Sequence, residues 1–154
     1  MKRTACFIGA MLTASLAGAA EVKSFGPGSF AQIAASAHGK PQVVMVWSLD
    51  CSYCAPSFEA LAQAQRRGLK VVTIATDPVD DDEAMTLVLQ KLANSGLHAE
   101  TWAFGTAPAE QLRHAIDPKW RGEMPRSYWF DGKGRVQAYS GLITPERAAS
   151  MLPR

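Results

Sequence analysis

Five consecutive apolar residues, Val43-Val44-Met45-Val46-Trp47, lead within four positions to a pair of cysteines, Cys51 and Cys54. A strand with one wet face alternates polar and apolar residues. An unbroken apolar run of strand length therefore has to be covered on both faces. Val71-Val72-Thr73-Ile74-Ala75 repeats the pattern. Between the two runs, Phe58, Leu61 and Ala62 share one face of a helix spanning about 52–67, and Gly68 stands just past its end.

The remaining elements follow from periodicity and punctuation. A short helical pattern runs from Ser29 to Ala37, closed by Gly39 and Pro41. Ala84, Met85, Val88, Leu89 and Leu92 recur at helical spacing, with Asp80 as the expected N-cap and Glu83 to reciprocate. The acidic run Asp80-Asp81-Asp82-Glu83 reads as capping and solvated surface rather than a metal site. Thr101–Phe104 is a third strand and Ala109–Ile116 a short helix. Ser127–Phe130 and Val136–Tyr139 flank an Asp131-Gly132-Lys133-Gly134 hairpin turn, and Pro145 opens a last helix over 146–152. Strands alternating with helices, then one hairpin, give an α/β fold whose mixed central sheet is flanked by helices.

Apolar residues make up 47% of the chain and charged ones 19%, which excludes a disordered or polytopic membrane chain. Lys2 and Arg3, an apolar stretch over 5–16 and Ala17-Gly18-Ala19 read as a secretory signal peptide over 1–20, leaving one domain over 21–154. An uncleaved anchor is the alternative, against which the stretch is short of the roughly 20 residues a membrane span needs. Cleavage removes Cys6 and two cations, so the 16 basic residues fall to 14, the number of acidic ones. Such a balance provides no electrostatic drive toward nucleic acid. The expected location is an exported, oxidising compartment.

Cys51-Ser52-Tyr53-Cys54 stands where a buried strand turns into a helix. The unpaired N–H groups and positive dipole end of that helix stabilise a thiolate on the first cysteine. A two-residue spacer lets the second sulfur close a disulfide, so the pair can pass two electrons through a mixed disulfide. In this reading Cys51 attacks and Cys54 resolves, with no cofactor beyond the disulfide. Three other uses compete. A zinc site lacks two further ligands, because His38, His98 and His114 are scattered. A structural crosslink across so short a loop removes little chain entropy. Soft thiolates also suit Cu(I) carriage.

The segment Trp47-Ser48-Leu49-Asp50-Cys51-Ser52-Tyr53-Cys54-Ala55-Pro56 resembles the active site of the thioredoxin superfamily, and Met124-Pro125 resembles its cis-proline. Cys54 and Pro125 lie 71 positions apart, longer than a minimal member needs, which implies an extra strand-helix insertion over roughly 100–116. With the leader, this layout is similar to TlpA-like periplasmic thiol-disulfide oxidoreductases. The resemblance implies a thioredoxin fold, client proteins with cysteine thiols or disulfides (apocytochromes in cytochrome c maturation, or copper-site thiols), and a membrane-embedded thiol relay as electron source. Oxidase or isomerase activity is the same chemistry run differently. The chain departs from the family pattern at Asp50, usually tryptophan, and at the spacer Ser52-Tyr53. It carries Met45 and Ser57 where the family's proton-accepting acids stand.

Deprotonating Cys54 requires another base or a water. Glu59 is five residues on, about 140° around the helix from Cys54, whereas Phe58 shares the Cys54 face. Asp50, beside the nucleophile, and Asp77, at the end of the second buried strand, are the candidate proton acceptors. Trp47 and Tyr53 are expected on the docking surface, and by resemblance the backbone at Met124 and Pro125 pairs with a client strand. Arg121, Glu123 and Arg126 flank that loop, as partner determinants or plain surface charges. Trp120, Tyr128, Trp129 and Phe130 are expected in the core.

Overall fold

The computed structural model describes residues 21–152; the expected leader over 1–20 lies outside the described residues. In chain order the elements are β1 (Val22–Phe25), α1 (Ser29–Ala35), β2 (Gln42–Trp47), α2 (Cys54–Gln65), β3 (Lys70–Pro78), α3 (Asp82–Asn94), β4 (Glu100–Phe104), α4 (Ala109–Ile116), β5 (Arg126–Phe130), β6 (Val136–Ser140) and α5 (Pro145–Ser150). The strands form one sheet in the order β1-β4-β3-β2-β5-β6. The pairs from β1 to β2 are parallel, and β5 and β6 join antiparallel. Among the described residues, no helix is long and apolar enough to cross a membrane.

The apolar run of β2 is covered on both faces, as its composition requires. Val43, Met45 and Trp47 join Phe58 and Leu61 of α2, Val88 and Leu92 of α3 and Ala148 of α5. Val44 and Val46 face the opposite layer, with Ile33 of α1, Leu112 and Ile116 of α4, and Tyr128. Complete burial of each such side chain contributes roughly 1.5–3 kcal/mol before chain entropy is charged against it. Trp120, Tyr128, Trp129 and Phe130 are all buried.

Four features depart from expectation. β1 is an additional strand: only Phe25 of its four residues is buried, so it carries no two-residue alternation to read. The inserted β4 lies between β1 and β3. A Cβ on Gly105, just past β4, would stand 2.9 Å from the Phe25 carbonyl oxygen, so the close approach of β1 requires glycine there. The N-cap of α3 is Asp81, not Asp80; its Oδ1 accepts the Ala84 N–H at 2.9 Å. α2 begins at Cys54 rather than Ser52, because residues 52–53 are in a turn closed by the Cys54 N–H on the Cys51 carbonyl. β3 runs on to Pro78 through an irregularity after Ala75, which carries Asp77 to the cysteine end of the sheet.

The loop from α4 to β5 ends at Pro125 and is tied down by Arg126. Its Nη2 donates to Asp117 Oδ2 at 2.7 Å, Nη1 to Ser140 Oγ at 2.9 Å and Nε to the Tyr128 hydroxyl at 3.2 Å. Arg126 is thus committed internally and is not a surface charge free for a partner. Burial acts to raise the Asp117 carboxyl, but the Lys119 N–H and Arg126 outweigh it and hold Asp117 below its ordinary value. Arg126→Ala is expected to cost about 1–3 kcal/mol in urea unfolding, the lower part of the range for a broken ion pair because both side chains are partly wet. Asp117 is depressed in the folded state. Its increment is therefore present above the ordinary carboxylate range and lost as pH falls through the folded value, so the difference between wild type and variant narrows in acid.

Candidate active site

The cysteines stand on the turn between β2 and α2. Trp47 ends β2, the Cys51 N–H donates to the Ser48 carbonyl at 3.2 Å, and the Cys54 N–H donates to the Cys51 carbonyl at 3.3 Å. Two successive turns thereby bring both sulfurs to the start of α2, where they form a disulfide. Their exposure differs: Cys54 is 1% exposed, whereas Cys51 is only partly buried. The first turn of α2 carries no acidic residue, so nothing within the helix opposes its positive end. Asp50 is exposed immediately before Cys51.

Tyr53 projects between the cysteines and is 63% exposed. Trp47 is a correction. It is fully buried, edge-on to Phe58 with ring centroids 4.7 Å apart, and offers no docking surface. The physical reason is strand parity: Trp47 points to the same face as Val43 and Met45, under α2. Glu59 is exposed while Phe58 is buried beside Cys54, as the helical phase requires.

Pro125 forms the second wall. The Met124–Pro125 bond is cis. Since Arg126 pairs with Val46, Pro125 lies level with Trp47 at the cysteine end of β2. Pro125 is buried and its carbonyl accepts the Gly141 N–H at 2.9 Å, whereas Met124 is partly exposed. Among the described residues, no backbone hydrogen bond engages Met124.

Ser57 is a site residue for which sequence reasoning assigned no role. It is fully buried; its hydroxyl donates to the Tyr53 carbonyl at 2.8 Å and accepts the Ile143 N–H at 3.0 Å. One side chain thus ties the first turn of α2 to the segment 141–143, which in turn holds Pro125. Its signal was a lone serine three residues past Cys54, on the apolar face of a helix. Asp77, the other acid singled out, has a defined partner: its Oδ2 accepts the Leu49 N–H at 3.1 Å. Burial pushes the Asp77 carboxyl above its ordinary value, the Leu49 N–H opposes this, Asp50 adds to the rise and Lys91 counters it. Asp50 therefore acts on Asp77 across the turn. Asp77 acts on the turn, through Leu49, and no contact joins it to Cys54 among the described hydrogen bonds. Among the described residues, no group of three or more His, Cys, Asp or Glu side chains is placed to hold a metal ion.

No protein-family model matches the chain, and no curated protein matches it. Solved structures do. A thiol:disulfide interchange protein of the thioredoxin family from Chlorobium tepidum superposes with a TM-score of 0.58 at 20% identity, covering 77% of this chain and 81% of that one. A DsbF homologue from Corynebacterium diphtheriae gives 0.57 at 17% identity, covering 76% and 73%. A secreted Mycobacterium tuberculosis disulfide oxidoreductase homologous to E. coli DsbE gives 0.51 at 20% identity, covering 75% and 85%. At such identities the likeness establishes the thioredoxin fold. Its mixed sheet carries the cysteine pair at the start of α2.

Ser57→Ala tests the connection between the two walls. It leaves the buried Ile143 N–H without its acceptor, which is expected to lower stability by about 1–3 kcal/mol in denaturant titration. Ser57→Thr, which keeps the hydroxyl, is expected to lose less.

Proposed function

We propose that this protein is an exported thiol-disulfide oxidoreductase that reduces disulfides in client proteins. The observation that carries the reading is the unequal exposure of a disulfide-bonded Cys-x-x-Cys pair at a helix N-terminus: Cys51 is reachable and Cys54 is sealed. A nucleophile has to be reached by its client, and a resolving thiol only by its neighbour.

In the reducing direction, the Cys51 thiolate attacks one sulfur of a client disulfide. The client S–S bond breaks, a mixed disulfide forms, and the departing client sulfur takes up a proton. Cys54 then loses its proton and attacks Cys51. The Cys51–client bond breaks, the second client sulfur leaves as a thiol, and Cys51–Cys54 closes. Two electrons have moved from the pair to the client, and a dithiol donor returns them. By resemblance to TlpA-like proteins that donor is a membrane-embedded thiol relay, and the clients are apocytochrome cysteines or copper-site thiols of the periplasm. On the same reading the leader over 1–20 is removed and 21–154 is the mature domain. The cycle requires no cofactor besides the disulfide. The exposed Tyr53 ring and the unbonded Met124 backbone form the docking surface, Met124 in position to pair with a client strand. Asp50 and Asp77 remain the candidate proton acceptors, with Asp77 acting at a distance or through water.

The test is insulin reduction measured beside a copper titration. Wild type is expected to turn over, Cys51→Ala to be inactive, and Cys54→Ala to accumulate mixed disulfides. Limiting iodoacetamide is expected to label Cys51 in the reduced protein. Predominant labelling of Cys54 reverses the assignment, and tight copper binding without turnover makes the protein a carrier.

Direction rests on charge. Strong oxidants of this chemistry stabilise their nucleophilic thiolate. Here the spacer has no histidine, and Asp50 stands beside Cys51, disfavouring the thiolate and with it the dithiol as an end state. The reduction potential is expected nearer about −270 mV than the roughly −120 mV of a strong oxidase. Asp50→Asn is expected to make it less negative. A wild-type value above about −160 mV by glutathione equilibration assigns the protein to the oxidases instead.

A further inference from the structure

Leu49 lies two residues before Cys51, and both of its peptide groups are held by charged side chains from other elements. Its N–H donates to Asp77 Oδ2 of β3 at 3.1 Å. Its carbonyl accepts Lys91 Nζ of α3 at 2.6 Å, across 42 positions of sequence. Each charge has the sign its peptide group prefers, an anion on the N–H and a cation on the oxygen. Lys91 lies in the last turn of α3, where a cation ordinarily serves the open carbonyls of its own helix end. It reaches away from them to the redox turn instead. Ordering an exposed lysine side chain costs rotamer entropy, and a short charge-assisted bond is the kind that offsets it. Displacing Leu49 moves the nucleophile, since the next link in the turn is the Cys51 N–H on the Ser48 carbonyl.

The charges around that turn are Asp50, Asp77 and Lys91, and both Asp50 and Lys91 act on the Asp77 carboxyl, in opposite directions. We propose that Lys91 is a positioning residue of the exchange reaction: through the Leu49 carbonyl it fixes the turn that presents Cys51, and its ammonium offsets the two carboxylates that border the same turn. The inference rests on the oxidoreductase reading for its relevance to turnover, but its measurement needs no client. Without Lys91, the two carboxylates that border the turn carrying Cys51 lose their compensating cation. The thiolate is then less populated and the disulfide relatively favoured.

The experiment uses the reduced protein, with the rate of Cys51 alkylation by iodoacetamide at neutral pH and the equilibrium with glutathione as readouts. Lys91→Met is expected to slow alkylation about threefold, the effect of one partly screened charge damped by the accompanying change in nucleophilicity. It is expected to shift the glutathione equilibrium toward the disulfide by a similar factor. Lys91→Arg should retain wild-type values. Lys91→Gln keeps a donor without the charge and should resemble Lys91→Met in the equilibrium. Asp50→Asn should move both readouts in the opposite direction to Lys91→Met, a contrast that mere loosening of the turn does not produce. The proposal is overturned if Lys91→Met matches wild type in both readouts, or if Lys91→Met and Asp50→Asn shift them the same way. A wild-type protein that fails to reduce insulin while Lys91→Met still slows alkylation refutes the reductase reading and leaves the effect of Lys91 on Cys51 standing.

Discussion

Burial of β2 on both faces is the constraint from which the redox end of the molecule follows. Alternate residues of one strand serve two separate apolar layers, so the strand can neither slip by one position nor rotate without exchanging those layers. Its carboxyl end is therefore held firmly, and the chain leaves it directly into the turn that carries Cys51. The parallel neighbour β3 ends at the same edge and supplies Asp77, and the antiparallel neighbour β5 begins there after Pro125. Three elements of different origin thus converge on two sulfurs because the sheet aligns their ends.

The same geometry makes the two cysteines chemically unequal. Cys54 is the first residue of α2 and shares its face with Phe58 and Ser57, which are sealed against the core and the segment 141–143. Cys51 precedes the helix and faces its positive end without being enclosed by it. A helix dipole acts over about one turn, so this offset of three residues keeps the Cys51 sulfur within reach of the positive end that stabilises a thiolate. The surrounding charges then tune it: Asp50 opposes the dipole, and Lys91 moderates Asp50 and Asp77.

Ser57 shows how the chain replaces a familiar arrangement. Three residues past Cys54, where an acid would have to be paired or protonated, it carries a small hydroxyl that joins Tyr53 to Ile143. A hydroxyl can satisfy one buried donor and one buried acceptor at little desolvation cost, whereas a carboxylate there has to be paired or protonated. The consequence is structural rigidity beneath Cys54 without a resident base.

Much of this architecture was legible in the residues. The apolar run of β2, its repeat in β3, the helical period of α3 and the Asp131–Gly134 turn each encode a local geometry that tertiary contacts merely confirm. The cysteine spacing at a strand-helix junction likewise pointed to the pair that the structure joins in a disulfide, because closing that bond depends on separations within one turn of chain. Other features were decided only by packing. β1 exists because an edge of β4 was available for pairing, not because Val22–Phe25 carries a pattern. Asp81 rather than Asp80 caps α3, since adjacent aspartates are equivalent until the backbone selects one. Trp47 is core and not docking surface because strand parity in the assembled sheet overrides its closeness in sequence to Cys51. The bonds of Arg126 to Asp117, Ser57 to Ile143 and Lys91 to Leu49 join residues 9, 86 and 42 positions apart. A side chain's partner across such distances is set by where the sheet and helices place it in space, and no local pattern records that.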